Sequence, residues 1–234
     1  MDFLNNTTAI ITAAGRGTRL PGNSKKQFRD LAGIPIIIRS MEPFMASELI
    51  DNLIITVPEQ DIGKTEAIIQ QWFESISKPY LVIAGGLERQ DSVFAALQAC
   101  PEGTEYVAIH DGVRPFVSQE LLELLFAAVI IDKAVIPAGK IKHTVMQIEG
   151  DYAVNTLPRQ QLINVFTPQV FAYALILEAY QLAGSENFYS TDDASLVQHL
   201  GMPIRYIWDN DFNLKITDET DLFFARQLIE KKKL

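Results

Sequence analysis

Apolar residues in this chain gather in short, near-continuous runs rather than strictly alternating ones. TAIITA (8–13), NLIITV (52–57), YLVIA (80–84), YVAIH (106–110) and AVIPA (134–138) are the clearest. A strand covered on both faces has no polar side to present, so these runs predict a parallel sheet buried between helices. Between them, DSVFAALQA (91–99) and SQELLELLFAAVIID (118–132) carry apolar residues at helical spacing. Ser118 is the expected N-cap of the second helix, with Glu120 and Glu123 placed favourably toward its positive end. Alternating strands and helices predict a doubly wound α/β fold whose sites lie at the carboxyl ends of the strands.

KHTVMQIEGDYAVNTL (142–157) breaks this alternation. Two β-prone runs flank Glu149-Gly150-Asp151, which predicts a hairpin projecting within an arm of about residues 139–160. A helix near 171–183 should follow, then another opening at Thr191 with Asp192 and Asp193 in its first turn. A strand at 203–208 and a last helix from about Asp218 complete the pattern. No low-complexity linker or internal repeat interrupts residues 1–234, so a single domain with one arm is expected.

Composition narrows the classes. The chain has 234 residues, 48% hydrophobic and 21% charged, and a net charge of −9. That balance excludes a general nucleic-acid or membrane-surface binder, which needs a broad basic face. Cys100 is the only cysteine, so no internal disulfide forms; this suits a reducing cytoplasm. With three histidines besides, there is no zinc-type cluster. The N-terminal MDFLNNTTAIITAAG carries an acid where a secretory peptide would carry bases. LLELLFAAVII is about half a bilayer span and contains Glu123, so it reads as a buried helix. A soluble cytoplasmic protein is expected.

Against this acidic background, AAGRGTRLPGNSKKQF (13–28) and the residue after it hold five bases, Arg16, Arg19, Lys25, Lys26 and Arg29. No acid interrupts the stretch from Ala9 to Arg29. A Walker loop fails because Gly22 precedes Asn23, and a dinucleotide fingerprint fails because Leu20 replaces its third glycine. What remains is a flexible backbone around Gly15 and Gly17, whose N–H groups can face an anion, with Arg19 and Lys26 supplying full charges. A merely basic surface loop competes with that reading, but five bases directly after an apolar strand favour phosphate.

Three further turns carry candidate chemistry. In GGLERQDSV (85–93) the glycines permit positive φ or close backbone approach, and Ser92 can bond a ligand. On this segment alone, a helix start capped by Asp91 or Ser92 is the favoured reading. In HDGVRPF (110–116), Asp111 at a strand end is placed to hold Mg²⁺ and Arg114 to clamp a phosphate. A structural Asp–Arg pair is the rival, and His110 reads as packed, because no G-x-S-x-G elbow exists for a triad. DNDFNLKITDETDL (209–222) fails as a calcium loop at Leu214 and Thr220, which leaves Lys215 as a further cation. TDDASLVQHLG (191–201) reads as a capped helix.

Taken in order, AAGRGTR…KKQF, GGLERQDSV, HDGVRPF, FTPQVF, TDDASLVQ and NLKIT resemble the 2-C-methyl-D-erythritol 4-phosphate cytidylyltransferases of the non-mevalonate isoprenoid pathway, from Ala9 to about Leu222. The resemblance implies a Rossmann-like three-layer α/β/α sandwich of the nucleotidyltransferase type, with a β-arm that crosses between subunits of a homodimer. It implies transfer of CMP from CTP to methylerythritol phosphate with Mg²⁺ and release of pyrophosphate. By the same resemblance, Ala13, Ala14, Gly15, Arg16, Gly17, Gly86 and Ser92 surround the nucleotide, helped by Arg89 and Gly112. Arg19 and Lys26 match the bases that act on the triphosphate, and Asp111 matches the metal ligand. Arg159 and Lys215 match the residues that position the acceptor phosphate, with Arg114, Thr144 and Thr167 as its further contacts. Thr144 and Arg159 would serve the partner's active site. This chain departs from the pattern at Lys25 and at Pro158, where relatives have Pro and Asp, and at His143, where the arm usually carries Asp. A ribitol 5-phosphate cytidylyltransferase is the nearest alternative. A nicotinamide-dependent oxidoreductase is disfavoured by the missing glycine, and a catalytically dead nucleotide binder by retention of Arg19, Lys26, Asp111 and Lys215.

Overall fold

The computed structural model describes residues 6–15, 25–73, 78–209 and 212–232. In chain order the elements are β1 (Thr7–Thr12), β2 (Asp30–Leu31), β3 (Ile34–Pro35), α1 (Ile36–Ala46), β4 (Asn52–Val57), α2 (Ile62–Trp72), β5 (Tyr80–Ala84), α3 (Arg89–Gln98), β6 (Tyr106–Asp111) and α4 (Gln119–Asp132). There follow β7 (Ala134–Lys140), β8 (Val145–Glu149), β9 (Tyr152–Leu157), β10 (Ile163–Val165), β11 (Gln169–Ala172), α5 (Tyr173–Ser185), α6 (Asp193–His199), β12 (Arg205–Trp208) and α7 (Glu219–Lys232).

The main sheet runs β5-β4-β1-β6-β11-β7, and β7 also pairs with β10 and β12. Val135 pairs with both Val170 and Arg205, and Ala138 with both Val165 and Trp208. β10 and β11 therefore share one edge of β7 while β12 lies along the other. Strands β1, β4, β5 and β6 are mutually parallel, as the apolar runs predict. β11 is antiparallel to both β6 and β7, which corrects the expectation of a purely parallel sheet. Phe171 and Ala172, expected in a helix, are strand residues here, because Val170 and Phe171 are wholly buried in the middle of the sheet.

Side chains of successive strand residues point to opposite faces, and the burial follows that period. Ala9 and Ile11 of β1 join a core with Ile37 and Phe44 of α1, Ile69 of α2, and Leu122 and Phe126 of α4. Ile10, between them, joins the opposite core with Val93 and Leu97 of α3, Ile176 of α5 and Val197 of α6. Helices thus cover both faces in a three-layer α/β/α sandwich. Each fully buried Ile or Leu contributes roughly 1.5–3 kcal/mol. A third cluster packs α7, through Leu222, Ala225 and Ile229, onto Leu31, Val113 and Ile216.

The helix ends follow local chemistry. Ser118 caps α4 by accepting from Leu121 N, as expected. For α6 the cap is Asp192, which accepts from Ser195 N, so the helix begins two residues after Thr191. Among the described residues β8 and β9 pair only with each other about Gly150, whose φ of +57° suits a residue without a Cβ. Their side chains Ile148, Tyr152 and Val154 are exposed. Among the described residues no helix is long and apolar enough to cross a membrane.

Candidate active site

Register places the site. Thr12, last in β1, stands opposite Asp111, last in β6, and opposite Thr56 of β4. The carboxyl ends of these strands are therefore level, and β1 and β6 flank the point where strand order reverses, the usual seat of a ligand in open α/β sheets. Above them lies a cleft of about 880 Å³. Its lining includes Ala13, Ala14 and Gly15 after β1, Lys25 and Lys26, Gly86 and Ser92 around the start of α3, and Asp111 and Lys215.

One wall is built by close approach. A Cβ on Gly85 would stand 2.3 Å from Ala14 Cβ and 2.7 Å from Ser92 Oγ. One on Gly86 would stand 2.3 Å from Asp91 Cβ. Tight packing, rather than positive φ, requires both glycines. Ser92 Oγ accepts from Gly86 N at 3.0 Å and donates to Glu88 O at 3.1 Å, so its hydroxyl folds the turn. Glu88, not Asp91 or Ser92, is the N-cap of α3; it forms a capping box in which Asp91 accepts from Glu88 N.

The floor is a carboxylate ringed by cations. Asp111 Oδ1 accepts from Arg89 Nε at 3.3 Å, and Oδ2 accepts from Arg114 Nε at 3.2 Å and lies 2.9 Å from Lys215 Nζ. Burial alone would raise the Asp111 pKa, but Arg89, Lys215 and Arg114 outweigh it and hold the carboxyl well below its ordinary range. Lys215 is delivered by the chain after β12. Its neighbour Ile216 is wholly buried and donates its backbone N–H to Val113 O at 2.9 Å.

Beneath Asp111 a buried network fixes the strand end. Thr167 Oγ1 accepts from Asp111 N at 3.2 Å and lies 3.0 Å from His110 Nδ1. His110 Nε2 lies 3.0 Å from Arg114 O, a carbonyl that can only accept. The Nε2 hydrogen is therefore on that bond, and the Thr167 hydroxyl donates to Nδ1. Burial lowers the His110 pKa from 6.5 to about 4, in keeping with a neutral ring. His110 is packed, against Phe44 at 4.9 Å between ring centroids, as the sequence predicts.

Arg89 has a second partner. Its Nη1 and Nη2 donate to Asp193 Oδ1 and Oδ2 at 2.8 and 2.7 Å, and Tyr180 Oη donates to Oδ1. Burial opposes the charge on Arg89, but Asp193 and then Asp111 raise its pKa well above the ordinary value. α6 is thereby tied to the floor of the cleft. Gln169 reinforces the tie, donating to Asp192 Oδ2 at 3.1 Å and accepting from Ala194 N at 2.9 Å.

The sequence profile of the family described as 2-C-methyl-D-erythritol 4-phosphate cytidylyltransferase matches residues 7–231. This chain belongs to that family. Its similarity to individual members runs through nearly the whole length. The 2-C-methyl-D-erythritol 4-phosphate cytidylyltransferase of Halalkalibacterium halodurans is 37% identical over 225 residues, 96% of this chain and 97% of the relative. That of Bacillus cytotoxicus is 38% identical over 222 residues, 95% and 97% of the two chains. The crystal structure of 4-diphosphocytidyl-2C-methyl-D-erythritol synthase from Anaerococcus prevotii superposes with a TM-score of 0.83 at 31% identity, covering 96% of this chain and 98% of the other.

For this member of the cytidylyltransferase family, the cleft gathers Ala13, Ala14, Gly15, Lys26, Gly86, Arg89, Ser92, Asp111 and Lys215. Arg16, Gly17 and Arg19 lie outside the described residues. Gly112 sits at the floor, where an added Cβ would meet Ala13 Cβ at 3.1 Å. Arg114 and Thr167 are buried beneath it, with Arg114 Nη1 donating to Asn213 O at 3.0 Å. Thr144 and Arg159 are exposed on the arm and do not join this chain's own cleft; Arg159 Nη1 donates to Lys142 O at 2.8 Å. Sequence reasoning missed Asp193 and Tyr180. The available signal was the doubled acid in TDDASLVQ, where Asp192 suffices as cap and Asp193 is left over.

Proposed function

We propose that this chain transfers CMP from CTP to 2-C-methyl-D-erythritol 4-phosphate, releasing pyrophosphate in isoprenoid precursor synthesis. Family membership supports that reading. The observation carrying it to the chemistry is the convergence of Arg89, Arg114 and Lys215 on one ionised carboxylate, Asp111, at the foot of a glycine-walled cleft.

The reaction is an in-line displacement: an acceptor phosphate oxygen attacks the α-phosphorus of CTP and the bond to pyrophosphate breaks. The acceptor oxygen is already anionic at neutral pH, so no general base is required. The protein's tasks are to bring two mutually repelling anions together and to stabilise the charge that develops. Ala14 and Gly15 offer their backbone to the nucleotide, while Ala13 and Gly86, whose N–H groups are bonded to Thr56 O and Ser92 Oγ, line its wall. Lys26, with Arg16, Gly17 and Arg19, serves the triphosphate, and Lys215 meets the acceptor phosphate. Arg114 and Thr167 act from below, by holding Asp111. Thr144 and Arg159 reach the acceptor of a partner subunit if the arm crosses a homodimer.

Asp111 fits a Mg²⁺ site as an ionised hard-oxygen donor in the cleft. Among the described residues no group of three or more His, Cys, Asp or Glu side chains gathers, so substrate phosphates and water would complete the shell. Bound there, Mg²⁺ would supply neutralisation of phosphate charge. We place the whole chain in one cytidylyltransferase domain acting in the cytoplasm.

The test is pyrophosphate release from CTP and Mg²⁺ with each acceptor supplied separately. Turnover with methylerythritol phosphate and none with ribitol 5-phosphate is expected. The reverse pattern, or CTP binding without turnover on either, overturns the assignment.

A further inference from the structure

Lys25 precedes the short 3-10 turn Lys26–Phe28, and Asp61 ends another, Glu59–Asp61, whose Glu59 and Gln60 line the same cleft. Lys25 Nζ lies 2.5 Å from Asp61 Oδ2, and the Asp61 side chain is only 13% exposed. An Asp just ahead of a helix normally accepts from the first free amides of that helix. Asp61 stands in this position before α2 and makes no such bond. Its backbone is fixed at both ends: its N–H donates to Pro58 O at 2.8 Å, and its carbonyl accepts from Thr65 Oγ1 at 2.8 Å. With the backbone so held, the carboxylate turns to Lys25 rather than to the helix.

Two other contacts act in the same direction. Lys64 Nζ, also on α2, stands 4.2 Å above the Phe28 ring. Gln27 Nε2 donates to Ala13 O at 2.9 Å. The turn bearing Lys26 is thus clamped between the loop after β1 and the start of α2.

We propose that the Lys25–Asp61 pair is a positioning device that fixes the Lys26 turn before nucleotide binds. The proposal rests on the reading above, in which Lys26 serves the triphosphate. Lys25 also lines the cleft, so a direct contact with phosphate is the competing role. The two differ in what Asp61 does. In a tether, both partners matter equally and removing the second adds nothing. For a phosphate contact, Asp61 would only dilute the charge of Lys25.

The experiment compares wild type with Lys25→Met, Asp61→Asn, the double variant and Lys25→Arg, all without substrate. Hydrogen exchange is followed at the amides of Phe28 and Arg29, which donate to Lys25 O and Lys26 O at 3.0 and 3.2 Å within the turn. The expected result is roughly two- to five-fold faster exchange in either single variant, no further gain in the double, and wild-type rates in Lys25→Arg. High salt should speed exchange in wild type but not in Lys25→Met. In turnover assays KM for CTP rises alike in both single variants while kcat holds. Unchanged exchange in either single variant overturns the tether. So does a KM that rises in Lys25→Met but falls in Asp61→Asn, which makes Lys25 a phosphate ligand. Exchange needs no turnover, so failure of the cytidylyltransferase reading leaves this test intact.

Discussion

Arg89 grips both oxygens of Asp193, at 2.8 and 2.7 Å, across 104 residues of chain. The same guanidinium reaches Asp111 through Nε, so one side chain joins α6 to the end of β6. Asp193 is fully buried and Tyr180 donates to it as well. Asp193→Ala strands a cation and a phenol that have no alternative acceptor of equal quality. A loss of about 3 kcal/mol in urea unfolding is expected. Asp193→Ala combined with Arg89→Met should recover part of it, because the uncompensated charge is gone.

His110 makes stability pH-dependent. Its folded-state pKa of about 4 lies below the ordinary 6.5, so the unfolded chain takes up a proton first as pH falls. The stability associated with the neutral ring is complete above about pH 6.5, declines between 6.5 and 4, and is lost below that. The whole effect is roughly 3 kcal/mol. Urea midpoints measured from pH 7 to pH 4.5 should fall for wild type, and His110→Phe should show a shallower slope, whatever its absolute stability.

Gly85 tests the packed wall. Gly85→Ala must move Ala14 or Ser92, since the new carbon would sit 2.3 Å from one and 2.7 Å from the other. The displacement falls on the nucleotide wall while the sheet beneath remains. We expect CTP affinity to drop about tenfold by calorimetry. An unchanged affinity would mean that this wall yields without consequence.

Lys26→Ala should leave the melting temperature near that of wild type and lower kcat about 10²–10³-fold, the usual effect of losing one group that meets developing charge. Lys26→Arg should recover part of the rate. Near-normal turnover in Lys26→Ala would remove Lys26 from the chemistry.

The strands were legible because burial on both faces leaves an unbroken apolar run, as in NLIITV. β11 was not: QVFA runs straight into α5, and four apolar-rich residues carry no period that separates strand from helix. α1 was equally hidden, since Ile36, Ile37 and Ile38 form a β-branched run and Pro43 lies inside the helix. In the site, Asp111, Lys215 and the glycines are tied to strand ends and turns, which sequence marks. Partners such as Asp193 for Arg89, or Asp61 for Lys25, are chosen by tertiary approach; the doubled acid marks Asp193 as spare, but nothing local says which cation it meets. Of the five clustered bases, Lys25 and Arg29 prove to be paired to acids far along the chain, Asp61 and Glu219.

Lys215 follows the last strand of the sheet, and it is secured by the packing of α7 on Val113 and Ile216. During synthesis, every strand can be in place while the acid at the floor still lacks this cation. A nascent chain halted after β12 would own every strand and the nucleotide wall, with Asp111 held by Arg89 and Arg114 but not by Lys215. The cation assigned to the acceptor phosphate is therefore the last part of the cleft in chain order, and it comes with the segment that α7 fastens to the sheet.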